Sequence, residues 1–407
     1  MLKRFIRLLK TSPLLLPLLA SIDLVLWLVD RVAVLSVRTP EKPLSLVIIR
    51  LDVMGDYLMF RNYLRALKKS ARYENHSITL FGNVAVKSLA ETFDSGLIDR
   101  FVWVDIYKLS TQPLYRFKVV RQLRLQGFSV AFCPAYSRVL VLDDFMALAT
   151  GASERVGCRT DYVNIAPWEA ALGDRLYTRL IDSGSGIVFE MERDRRIVEG
   201  FVQEPVAVQP PLLDGHHARD VSVPDRYVVF SLGAGQEFRV WPVDRFAEVA
   251  RFILVQYPAY KLVLTGAPNE KPYTESFLKH LPDASAIVDL TGSLSIPELV
   301  YVLTNADLLI ANETGIAHIA ASTQTPSIVI SQGKSLVRWH PYPTAFGEMM
   351  TYVYPDYLEQ RRANLPAIAS GFNPESPLSI NEITVQRVMH SVNERLRRVD
   401  GLSKKYL

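Results

Sequence analysis

Cysteine is nearly absent from this chain: Cys133 and Cys158 are its only thiols in 407 residues. Two isolated cysteines offer neither a disulfide framework nor zinc-ligand spacing, and they suit a reducing cytoplasm. Surplus charge is scarce too. Lys3, Arg4, Arg7 and Lys10, with no acid among residues 1–10, account for the whole net charge of +4. The basic balance therefore belongs to the N-terminus, which excludes a nucleic-acid-binding face. There is no short internal repeat and no low-complexity tract. No Asp-x-Asp pair or histidine cluster is present to hold a metal. No G-x-G-x-x-G follows the first strand, which argues against a nicotinamide dehydrogenase.

What is present is apolar bulk, 49% of the residues, enough for two domains with separate cores. Residues 13–29 (PLLLPLLASIDLVLWLV) are apolar apart from Ser21 and Asp23. No small-x-small site follows, so a cleaved signal peptide is disfavoured. A stretch this short, with an internal acid and two prolines, is costly as a membrane span. It fits an interfacial helix, with Asp23, Trp27 and Asp30 on one face and Leu and Val elsewhere. The flanking basic residues would meet anionic headgroups at the cytoplasmic surface. The other reading is a helix packed on the protein's own domain or on a partner subunit. Residues 1–43 are accordingly expected to associate with the inner face of the cytoplasmic membrane.

Residues 44–205 read as a first α/β domain. The apolar run 44–51 is a central parallel strand. A turn, Asp52-Val53-Met54-Gly55-Asp56, leads to a helix over 57–69 with Leu58, Leu64 and Leu67 inward. Asp56 thus lies beyond a strand's carboxyl end, where ligands gather in open α/β sheets. It is either an N-cap carboxylate or a general base facing an interdomain cleft. Strands and helices go on alternating, which argues for a doubly wound parallel sheet. Arg138, after the strand near 130–132, is either a contact for an anionic acceptor or a solvated side chain.

Residues 206–224, rich in proline, read as a linker. The alternation restarts over 225–375. A strand over 227–232 opens into Gly233-Ala234-Gly235, and a strand over 261–265 ends at Gly266. Ser295 and Glu298 form a capping box. The apolar strand 308–311 is broken by Asn312-Glu313-Thr314-Gly315 before a helix of small apolar residues. Backbone N–H groups and the dipole at that helix start favour an anion, typically a phosphate. His318, one turn in, either faces the same ligand or is a satisfied core histidine. Residues 376–407 are a last amphipathic helix and a basic tail. The architecture expected is two Rossmann-like parallel-sheet domains facing a central cleft.

Three motifs, in this order, resemble those of glycosyltransferase family 9, the heptosyltransferase-like enzymes of bacterial surface-polysaccharide assembly. They are Arg50-Leu51-Asp52-Val53-Met54-Gly55-Asp56, then Gly233-Ala234-Gly235 with Arg239-Val240-Trp241-Pro242, and Asn312 through His318. The resemblance covers about residues 44–398. It implies the GT-B fold, with the acceptor on the N-terminal domain and a nucleotide-sugar donor on the C-terminal one. It also implies inverting, metal-independent transfer, with no cofactor besides the donor as substrate. Asp56 matches the catalytic base, and Asp52 and Arg138 fall to the acceptor side. Arg239 stands where the family usually has a Lys contacting the donor phosphates. Thr314 and Gly315 match the diphosphate turn, and Gly266, Asn269 and Glu270 the loop near the nucleoside. Gly233, Ala234 and His318 complete the donor set. Glu313 replaces the usual Asp near the donor sugar, and Phe189 replaces a common His, so heptose is an expectation. The implied acceptor is a lipopolysaccharide or other lipid-linked glycan. Two other readings stay open: a non-catalytic nucleotide-sugar-binding scaffold at the membrane, and a sugar-nucleotide epimerase.

Overall fold

The structure is a computed structural model that describes residues 16–40, 42–215, 221–281 and 285–403. The basic residues Lys3, Arg4, Arg7 and Lys10, and residues 216–220 of the expected linker, lie outside these. The chain forms two compact units. One comprises Met1–Gly186 with Met191–Gln209, the other Ile187–Glu190 with Pro210–Leu407.

The first unit begins with helix α1 (Leu16–Leu35). Leu26, Asp30 and Ala33, spaced four and three residues apart, are its buried side. That corrects the expectation that Asp30 sits on an outward polar face. Both its carboxylate oxygens accept from Arg116, at 2.7 and 2.6 Å. Arg116 belongs to a later helix and is fully buried, so Asp30 must face inward to compensate it. Leu24, Val25, Leu28, Val32 and Leu35 are exposed. No helix among the described residues is long and apolar enough to cross a membrane.

Six parallel strands follow: β1 (Ser45–Arg50), β2 (Ser77–Asn83), β3 (Arg100–Val104), β4 (Val130–Cys133), β5 (Glu154–Cys158) and β6 (Arg179–Ile181). Their order is β3-β2-β1-β4-β5-β6. β1 is buried at every position, as a strand covered on both faces must be, which is why it reads as an unbroken apolar run. Val47 lies opposite Thr79 on one side and Ala131 on the other. Helix α2 (Met54–Phe60) starts three residues earlier than the apolar spacing predicts. Val53 is its N-cap residue, so Asp56 stands within the first turn and is not the cap. Helix α3 (Pro113–Leu125) carries Arg116, and helix α4 (Glu190–Val202) runs at the junction of the two units' sequences. β6 and the helix Pro167–Asp174 escape sequence reading because neither is long enough to show a period.

The second unit has β7 (Tyr227–Ser231), β8 (Lys261–Thr265), β9 (Ile287–Asp289), β10 (Leu308–Asn312), β11 (Ser327–Ile330) and β12 (Met350–Val353). All are parallel, in the order β12-β11-β10-β7-β8-β9. Helix α5 (Val243–Gln256), helix α6 (Gly315–Thr323) and helix α7 (Val385–Ser403) flank the sheet. Trp241, Phe246, Ile253, Val388 and Leu396 pack in its core. The capping box at Ser295 is present, with the Ser295 N–H donating to Glu298 at 2.8 Å.

Candidate functional site

In a doubly wound sheet the chain reverses its direction of winding once, and the loops on either side of that point diverge to leave a crevice at the strands' carboxyl ends. In the second unit this point lies between β7 and β10. The loop after β7 supplies Gly233, Ala234 and Gly235; the loop after β10 supplies Glu313 and Thr314. Asn312, fully buried, ties the two together. Its amide donates to the carbonyls of Leu232 and Gly233 at 2.8 and 3.3 Å, and its carbonyl accepts the Trp241 N–H at 3.0 Å. Trp241 in turn donates its indole N–H to Ile383 at 2.9 Å. The Arg239 loop is therefore anchored on both sides of the switch point.

Arg239 reaches Glu313 through one nitrogen, which bonds both the backbone carbonyl and the carboxylate. Its Nε is buried without a hydrogen-bond partner. Thr314 is the N-cap residue of α6 but makes no side-chain capping bond; the Ala317 N–H turns back to the Thr314 carbonyl at 3.0 Å, which leaves the N–H groups of Gly315 and Ile316 without a side-chain cap. The sequence thus brings together, at one helix N-terminus, a guanidinium, a carboxylate and a row of backbone donors. Such a place holds an anion through charge-assisted bonds and the helix dipole.

The loop after β8 completes this edge. The Ala267 N–H donates to Glu270 at 2.8 Å. A Cβ on Gly233 would fall 2.0 Å from the Glu270 carboxylate, and one on Gly266 2.8 Å from it. Glycine at both positions is what lets the carboxylate lie against the β7 and β8 loops. Asn269 is exposed nearby. His318 is placed differently from these. It is buried, its Nδ1 is 2.9 Å from the Tyr342 hydroxyl, and it meets Trp339 edge-on. Burial pulls its pKa down to about 4, so it is neutral near pH 7 and supplies no cationic charge there. Phe189 packs edge-on against the same Tyr342.

The first unit has its own switch point, between β1 and β4. Asp52 and Asp56 follow β1 there, and Arg138 follows β4. Asn83, at the end of β2, donates to the carbonyls of Leu51 and Asp52 at 3.4 and 3.3 Å. Arg50 is the hub. It pairs with Asp52 at 3.1 Å and Asp194 at 3.6 Å, donates to the Asp56 carbonyl at 3.1 Å and stacks on Phe60. Arg138 is not solvated: it is fully buried, paired with Asp144 at 3.0 Å and with Asp174, and it lies over the Tyr177 ring. Those carboxylates hold its charge more firmly than usual, raising its pKa.

Two residues carry more of this site than the sequence indicated. Arg50 was legible as a charge ending an apolar strand, a placement that burial permits only with partners. Asp143 is the second. It is buried, and burial, then Asp52, then Asp144 push its carboxyl pKa well up. The adjacent acids in LVLDDF were the available signal. Among the described residues no three His, Cys, Asp or Glu side chains gather as a metal site.

Comparison with known proteins gives a consistent picture. Residues 202–361 match the sequence model of glycosyltransferase family 9 (heptosyltransferase). Lipopolysaccharide heptosyltransferase 3 of Escherichia coli (strain K12) is 30% identical over 123 residues, covering 30% of this chain and 35% of that protein. Lipooligosaccharide heptosyltransferase 2 of Haemophilus influenzae is 23% identical over 169 residues, covering 40% of this chain and 46% of that protein. The chain thus spans about half or less of the length of these two relatives. Among solved structures, E. coli ADP-heptose lps heptosyltransferase II aligns with a TM-score of 0.65 at 16% identity, covering 88% of this chain and 99% of that one. A glycosyl transferase family 9 structure from Veillonella parvula DSM 2008 gives 0.64 at 17%, with the same coverage. The fold is that of these structures, the GT-B class built from two parallel six-stranded sheets with flanking helices.

Proposed function

We propose that this chain, whose residues 202–361 match the sequence model of glycosyltransferase family 9 (heptosyltransferase), transfers a heptose-like sugar from a nucleoside diphosphate donor to a lipopolysaccharide or other cell-surface glycan. The observation that carries the reading is Arg239 beside the uncapped N-terminus of α6, at the switch point of the second sheet. In the reaction the acceptor oxygen bonds to the anomeric carbon while the bond from that carbon to the diphosphate oxygen breaks. The hydroxyl proton passes to Asp56. Charge grows on the departing diphosphate, where Arg239 and the N–H groups of Thr314 and Gly315 stabilise it more in the transition state than before it. A fixed cation and a helix terminus supply the positive charge, so the reading needs no metal. A single displacement inverts the anomeric centre. Gly266, Asn269 and Glu270 contact the nucleoside, Gly233 and Ala234 flank the phosphates, and Glu313 approaches the sugar. Asp52 lies on the acceptor side, with Arg138 holding that region through its buried pairs.

Asp56→Asn tests the base. Turnover falls by about 100- to 10,000-fold, while calorimetric affinity for the nucleoside diphosphate stays within about twofold of wild type. Undiminished turnover overturns the assignment. Nucleotide binding with no transfer to any lipid-linked acceptor would favour the scaffold reading instead.

The exposed Leu24, Leu28, Val32 and Leu35 of α1 support a second part of the proposal. The enzyme works as a peripheral protein on the inner face of the cytoplasmic membrane, where a lipid-linked acceptor is held. Leu28→Glu should release the chain from vesicles in flotation; unchanged flotation would remove this part alone.

A further inference from the structure

Along α1, Trp27, Arg31 and Val34 follow one another at four- and three-residue spacing and so share a face. With Asp30 they form one wall of a cavity of about 250 Å³. Arg124 from α3 and Arg155 from β5 line it as well, with Phe145 among its apolar residues. Asp30 is the one acid in the lining, and both its oxygens are committed to Arg116. Three guanidiniums therefore share a small space with no carboxylate of their own among the described residues.

The cavity is built rather than incidental. Arg155 is fixed by bonds of 2.7 Å to the carbonyls of Leu176 and Ala152. The Arg124 guanidinium occupies the space beside Gly151, where a Cβ would fall 1.7 Å from its Nη1. Gly151 has φ +72°, a conformation glycine adopts without strain. The Nε of Arg124 is buried without a hydrogen-bond partner. Burial first, then repulsion from Arg155 and Arg31, lower the pKa of Arg124, which is the signature of cations held together without their counter-ion.

The next face of the same helix is the exposed stripe of Leu24, Leu28 and Leu35. Trp27, half apolar and half polar, stands at the border with Arg31 near its ring, a placement suited to a headgroup layer. We propose that this cavity is a receptor for the phosphate headgroup of an anionic phospholipid, whose acyl chains lie along the apolar stripe of α1. The inference rests on the membrane reading above and adds to it a stoichiometric lipid site. Arg31, Arg124 and Arg155 donate to the phosphate oxygens, and the Leu stripe fixes the direction in which the lipid tail leaves.

The test uses the full chain with vesicles of phosphatidylcholine alone, and of phosphatidylcholine containing phosphatidic acid. Three variants are compared: Arg124→Gln, Arg31→Gln, and Arg121→Gln. Arg121 is exposed on α3 and outside the cavity, so its loss reports surface attraction only. Diffuse attraction of that kind is worth about fivefold per basic residue. Arg124→Gln and Arg31→Gln should each lower partitioning onto the anionic vesicles by more than about tenfold and leave the neutral vesicles unaffected. Arg121→Gln should cost no more than about fivefold. In calorimetry, short-chain phosphatidic acid below its micelle concentration should bind wild type and Arg121→Gln with a stoichiometry near one, and should not bind Arg124→Gln. Equal losses in all three variants overturn the site while leaving membrane association standing. Displacement of the lipid by millimolar inorganic phosphate, with equal affinity, shows a free-phosphate site and also overturns the proposal. Failure of wild type to bind either vesicle overturns both the site and the membrane reading.

Discussion

Arg239 holds Glu313 by carbonyl and carboxylate together, so an anion approaching the N-terminus of α6 competes with a carboxylate already in place. Two substitutions separate these roles. Arg239→Ala should weaken nucleoside diphosphate binding by about 10- to 100-fold, the worth of a charge-assisted bond. Glu313→Gln should tighten it several-fold by leaving the guanidinium with a neutral neighbour; calorimetry on both decides. His318 yields a prediction of another kind. Its pKa falls from 6.5 in the unfolded chain to about 4 in the fold. The unfolded chain therefore binds the proton more readily, so the stability is present above pH 6.5 and is lost as pH falls toward 4. The loss is on the order of 3 kcal/mol. Urea midpoints measured across that range should fall more steeply for wild type than for His318→Gln; parallel curves would show that other groups dominate. His318 also marks what sequence reading could resolve at this scale. Its place one turn into a helix was visible, but the hydroxyl of Tyr342, a partner distant in sequence, was not.

At the scale of elements, the paired buried charge on α1 and α3 decides how the N-terminal helix sits. Asp30 and Arg116 are both buried, and removing one leaves the other without compensation. Asp30→Asn should cost about 3–5 kcal/mol, read as a fall in denaturation midpoint. Replacing the pair with apolar residues of similar volume should restore most of it. A midpoint unmoved by Asp30→Asn would show that the pair is not what fastens α1. The apolar spacing of residues 13–29 pointed to a helix, and the helix described runs over Leu16–Leu35, but the spacing could not choose its inward side: Asp30 reads as a polar-face residue without Arg116 beside it. The same limit applies at α2, whose start at Met54 is fixed by the extended backbone of Val53.

At the scale of the molecule, two units with separate sheets and separate cores should respond separately to a ligand held by one of them. A nucleoside diphosphate at a hundred times its dissociation constant stabilises the binding unit by about 2.7 kcal/mol. In calorimetric scans over a panel of such nucleotides, one transition should shift and the other should not. A uniform shift of both would show that they unfold as one body. The strand-and-helix alternation and the turns that follow the central strands were written in the chain, because a parallel strand must be apolar on both faces and a turn needs its own residue types. Strand order was not, and with it the switch points that gather Asp52, Asp56 and Arg138 in one unit and Gly233, Glu313 and Thr314 in the other. The sequence by itself determined that strands and helices alternate and which residue types break the longer ones. Only the tertiary structure decided that Arg138 is buried, that Asp30 faces Arg116, and that three arginines from α1, α3 and β5 share one cavity. Charge compensation acts across space between residues far apart in the chain, and no local pattern records it.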